Sequence, residues 1–69
     1  MKTTCFSFGQ SHVHRVNGVT FDADCLVEIT AKDPRQVMFD TFGDKWAMEY
    51  TPERAKECLK FYKRGIIKL

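Results

Sequence analysis

The chain has little of what usually gives a function away. Two of its 69 residues are proline, four are glycine and three are cysteine. No apolar run approaches the roughly 20 residues that span a bilayer. No apolar run lies behind Met1-Lys2-Thr3-Thr4, so no signal peptide is expected, and the expected compartment is the cytoplasm. An odd number of cysteines without CxxC spacing argues for reduced, buried thiols at Cys5, Cys25 and Cys58, with no disulfide. There is no phosphate-binding glycine loop, no HExxH and no paired-carboxylate motif. No serine sits in an elbow motif and each cysteine falls in an apolar pattern, so nothing pairs a nucleophile with a base. Neither an enzyme nor a cofactor is expected. Excess charge of one sign is also missing. A formal charge of +2 does not suggest binding to nucleic acid or membranes by bulk charge.

What is present suits one small domain over residues 1–69. Apolar residues make up 43% of the chain and aromatics 13%, enough for a packed core. A core of this size is modest and depends on good packing or a partner. Basic residues gather late, at Lys56, Lys60, Lys63, Arg64 and Lys68.

Asn17-Gly18 is the strongest local signal. Both residues tolerate positive φ, and the sequence alternates on either side of them. A two-residue turn there predicts a long N-terminal β-hairpin. Val16 would pair with Val19, His14 with Phe21, His12 with Ala23, Gln10 with Cys25, Phe8 with Val27 and Phe6 with Ile29, all on one face. The other face, with Cys5, Ser7, Val13, Arg15, Thr20, Asp22, Asp24, Leu26, Glu28 and Thr30, reads as mostly polar and wet. Gly9-Gln10-Ser11 interrupts the pattern as a bulge, bend or loop. An odd-residue bulge would turn His12 and His14 to the opposite face.

Asp33-Pro34 reads as a helix start, and Gly43 as its end. Met38, Phe39 and Phe42 share a face of that helix. Trp46, Met48 and Tyr50 alternate as a short strand. Thr51-Pro52 starts a second helix with Ala55, Cys58, Leu59 and Tyr62 as its apolar stripe and Gly65 as its end. Residues 66–69 read as a last short strand or a docked tail. The order is β-β-α-β-α(-β), an α+β fold. The expected assembly has two layers, with both helices on one face of a small antiparallel or mixed sheet.

His12-x-His14 is the leading chemical candidate. On a strand both imidazoles project from one face and could reach one metal ion or one anion. Zinc needs a third ligand, and Cys25 is the one nearby on that face, so the two histidines are weak metal candidates only. The competing reading is structural: His14 stacks on Phe21 and His12 caps the sheet edge. Trp46 and Tyr50, with Phe39 and Phe42, could stack nucleobases, flanked by Arg35 and Lys45. Burial in the core is the simpler reading of these aromatics.

Four segments taken together resemble a group of very short proteins encoded in bacteriophage genomes. They are Phe8-Gly9-Gln10-Ser11-His12-Val13-His14, Arg35-Gln36-Val37-Met38-Phe39, Phe42-Gly43 and Trp46-Ala47-Met48-Glu49-Tyr50. The resemblance covers about residues 6 to 50 and leaves out the second helix. It implies a phage or prophage origin and the host cytoplasm, and it implies no activity.

Two functions remain. The preferred one is a non-enzymatic binding protein, engaging a host or phage macromolecule or a second copy of itself through the hairpin tip. Strands of twelve residues would be about 40 Å long and would outrun helices of about 16 Å, leaving Val16, Val19 and Phe21 in need of a partner. The alternative is a nucleic-acid or nucleotide binder using His12, His14, Arg15 and the basic C-terminal helix with Lys60, Lys63 and Arg64. A membrane partner is not expected.

Overall fold

Asn17 (φ 52°) and Gly18 (φ 79°) both lie in the left-handed region, the pairing that closes a two-residue hairpin. In the computed structural model, which describes residues 1–69, they join β2 (His14–Val16) to β3 (Val19–Phe21). Val16 pairs with Val19, and His14 with Phe21.

The long hairpin does not continue as one ladder. β1 (Lys2–Ser7) and β4 (Cys25–Ala31) pair antiparallel in a different register, with Phe6 opposite Val27 and Ser7 opposite Leu26. Six residues, 8–13, separate β1 from β2 along one arm, whereas four, 22–25, separate Phe21 from Leu26 along the other. The excess of two residues is absorbed in a turn in which His12 N–H donates to Gly9 O (3.0 Å). Because the excess is even, the parity of the faces survives although the register does not. The ribbon of about 40 Å is replaced by a body whose longest extent is 28 Å.

The fold is α+β. α1 (Pro34–Phe42) starts where Asp33 accepts from Gln36 N–H and ends at Gly43 (φ 67°). β5 (Glu49–Tyr50) pairs antiparallel with β1. α2 (Pro52–Cys58) is capped by Thr51, whose hydroxyl accepts from Arg54 N–H, and runs into a 3₁₀ turn at Leu59–Phe61. That turn ends the helical segment four residues before Gly65, the residue expected to end it. Gly65 (φ 71°) instead opens β6 (Gly65–Lys68), which pairs parallel to β4. The main sheet is therefore mixed, in the order β5-β1-β4-β6, beside the two-stranded β2-β3 ladder.

The layering differs from the two-layer expectation. Phe6, Phe8, Phe21, Cys25, Val27 and Ile29 pack with Met38 and Phe42 of α1. Cys5 and Leu26, on the opposite side of the same strands, pack with Ala55 of α2. The helices thus cover opposite faces of the sheet, and Cys5, Phe6, Cys25, Leu26 and Val27 are all fully buried. The supposedly wet face is closed by α2 where Cys5, Ser7 and Leu26 lie. Its polar residues, Glu28 and Thr30, fall further along β4, where they are half-buried and exposed.

Ser7 marks where β5 becomes irregular. Its N–H donates to Met48 O (2.9 Å), its carbonyl accepts from Ala47 N–H (2.8 Å), and its hydroxyl accepts from Met48 N–H (3.1 Å). Two residues therefore face one, as in a bulge, and side-chain parity is reset. Trp46 joins the α1 side and Tyr50 the α2 side. A regular strand would have put them on one face.

Candidate interaction surfaces

The residues singled out in the sequence fall in three places. At the hairpin, both histidines are structural members. The His14 ring lies 5.7 Å from Phe8 and 5.0 Å from Phe42, and Nε2 donates to Lys45 O at 2.8 Å. The ring thereby fastens β2 to the segment that follows α1. His12 Nδ1 accepts from Gly9 N–H at 2.8 Å and holds the turn. A Cβ at Gly9 would sit 3.1 Å from that nitrogen, so glycine lets the ring approach. No group of three or more His, Cys, Asp or Glu side chains gathers as a metal site. Cys25, the ligand considered as a third, lies with Sγ 3.6 Å from Asp22 O. Arg15 is exposed on the far side of β2. Phe21, expected at an uncovered tip, is buried against Phe8 and Phe42 with ring centroids 6.0 and 5.2 Å away.

The second place is the junction of α1 and β5. Trp46 meets Phe6 edge-on at 5.2 Å and Phe39 at 5.5 Å, and its Nε1 donates to Gly43 O at 3.1 Å. The Arg35 guanidinium stands 5.9 Å over the indole and pairs with Glu49 at 3.4 Å. That ion pair is largely exposed and adds little stability. Trp46 is half-buried, whereas Phe39, in contact with it, and Met48, two residues on in sequence, are 44% and 56% exposed. β5 is an outer strand of the sheet, so one side of its backbone has no strand partner.

The third place is the end of α2. Lys60 Nζ lies 5.3 Å from the centre of the Phe61 ring, and Lys63 is exposed. Arg64 belongs elsewhere: its guanidinium reaches Asp22 at 3.4 Å and its N–H donates to Asp24 O at 2.8 Å, tying the β3–β4 turn to β6. Phe61 was not legible as a surface residue. It is the aromatic that falls off the 55, 58, 59, 62 stripe, and that displacement was the available signal. Met48 was hidden because the bulge at Ser7 breaks the alternation in which it appeared to sit.

Two of the three cysteine thiols are shifted away from their reactive form. Burial pushes the Cys5 thiol up from its ordinary value, and the Glu28 carboxylate adds to this. Burial also pushes up Cys25, outweighing the Arg64 charge, which favours its thiolate. Thiolate is the reactive form, and burial disfavours it at both. All three cysteines are free, the fold encloses no pocket, and no helix is long and apolar enough to cross a membrane. No protein-family model, curated protein or solved structure matches the chain.

Proposed function

We propose that the chain is a non-enzymatic interaction protein that holds an extended segment of a protein partner along the outer edge of β5, anchored on Phe39, Trp46 and Met48. One observation carries the reading: the open edge of β5 is led into by Met48, exposed, and by Trp46, which has Phe39 against it and an arginine over its ring. Open edges accept extended peptides through backbone bonds, and flanking side chains give selectivity. Trp, Phe, Met and Arg are the residues enriched in interface cores. At the hairpin tip Phe21 is buried and His14 is bonded to Lys45 O, which leaves Val13 and Val19 as its exposed apolar residues. The resemblance to short phage-encoded proteins suits such a role and assigns no reaction.

Selection from a random peptide display library, followed by amide chemical-shift mapping, tests this. Selected peptides should perturb residues 46–50 and lose binding to Trp46→Ala and Met48→Glu. The Met48 side chain is exposed, so that variant should stay within about 0.5 kcal/mol of the parent in stability. A dimer in light scattering that Met48→Glu dissociates would make the occupant a second copy. Peptides that map to residues 13–20 and ignore both substitutions would return the function to the hairpin tip and end this reading.

A further inference from the structure

The end of α2 carries a second surface, independent of β5. Phe61 is 70% exposed, the highest value of any aromatic in the chain. Three lysines surround it in sequence: Lys56, Lys60 and Lys63. The four ion pairs of the molecule engage Arg35, Arg54, Arg64 and Lys68. None engages those three lysines. Glu57, the closest carboxylate in sequence, is held by Arg54 at 2.9 Å. The charge is also partitioned along the chain. Residues 52–69 carry six basic and two acidic side chains, whereas residues 1–51 carry five basic and seven acidic ones. The modest overall charge of +2 conceals a basic end with an aromatic exposed on it.

We propose that this surface binds single-stranded nucleic acid, with Phe61 stacking on an unpaired base and Lys56, Lys60 and Lys63 neutralising the flanking phosphates. Uncompensated lysines select a polyanion, and an open aromatic face selects one with exposed π-surfaces. Lys60 lies against Phe61, so a phosphate drawn to its ammonium would bring the adjoining base next to the ring. A lipid surface fits less well. In a 3₁₀ turn successive residues point about 120° apart, so Leu59, Lys60 and Phe61 diverge instead of forming one apolar wedge. Duplex DNA offers phosphates but keeps its bases stacked away from the ring.

Fluorescence anisotropy with a labelled oligothymidylate of roughly 15 nucleotides tests the proposal. Binding is expected at low salt, with affinity falling as about the second power of salt concentration for three neutralised phosphates. Phe61→Ala should weaken binding on the order of tenfold, Phe61→Trp should preserve it, and K56A/K60A/K63A should abolish it. The exposure of Phe61 keeps these variants folded, and circular dichroism verifies it. Absence of binding at low salt would overturn the proposal. So would equal affinity of the parent and Phe61→Ala, or equal affinity for a sulfated polysaccharide, because either reduces the site to charge alone. Phe61-dependent binding to vesicles of phosphatidylserine and phosphatidylcholine, without oligothymidylate binding, would assign the surface to membranes instead. Met48→Glu, at a 56% exposed side chain on β5's approach, leaves this surface untouched, so the two functional readings succeed or fail separately.

Discussion

At the scale of single residues, the hairpin is held by two rings that close its base. Phe21 and His14 are paired across β2 and β3, and both rings lie against Phe42 of α1. The turn residues beyond them are exposed. Phe21→Ala should therefore behave as a core truncation and cost about 3–5 kcal/mol. Stability for small domains begins near 5 kcal/mol, so a large fraction of the variant should be unfolded at room temperature. Val19, two residues away on the same side of β3, is 36% exposed, and Val19→Ala should stay within about 0.5 kcal/mol. Urea denaturation of the two variants gives the contrast. A Phe21→Ala cost below about 1 kcal/mol would mean that the tip is not docked on α1.

At the scale of elements, local chemistry was legible and distant pairing was not. Asn17-Gly18, Asp33-Pro34, Thr51-Pro52 and Gly43 each specify a backbone conformation through their own covalent structure, and each turn or cap lies where the sequence places it. The register beyond Gly9 depends on a ring nitrogen of His12 bonding back to Gly9 N–H, an interaction no periodicity encodes. The second covered face was misread because Cys5, Ser7 and Leu26 share their side of the strands with the polar Asp24, Glu28 and Thr30, and α2 covers only one end of it. The open β5 edge with Met48 could not be read either, since it follows from Ser7 serving two residues. The legible part yields a quantitative contrast. Gly43 has φ 67° and ψ −137°, and a Cβ there would meet nothing within 4 Å. Gly43→Ala should thus cost about 1–3 kcal/mol through backbone strain alone. Asp33→Ala, which removes a cap bond of 3.3 Å, should cost about 1 kcal/mol. Thermal melts that rank Asp33→Ala as the more damaging would show that α1 ends in some other conformation.

At the scale of the whole molecule, two thin cores lie on either side of one mixed sheet, and each contains an ionisable group held neutral by burial. Cys25 sits in the α1 core, Cys5 in the α2 core, and Tyr62 packs at the edge of the latter. Burial is the largest cause of an upward shift for all three, from ordinary values of 9.0 for the thiols and 10.0 for the phenol. The folded state therefore retains its protons to higher pH than the unfolded state does. Below about pH 8 both states are neutral at these sites and the stabilisation is complete. Above about pH 9 the unfolded chain ionises first, binds fewer protons than the folded chain, and stability falls as pH rises. The urea midpoint should be flat from about pH 7 to 8 and decline steadily toward about pH 10.5. Cys25→Ala removes one of the three groups and should make that decline shallower while leaving its direction unchanged. A midpoint that holds constant through about pH 10.5, or a Cys25→Ala slope equal to the parent's, would show that the thiols are already exposed to water in the native state and that the two covered faces are not closed as described.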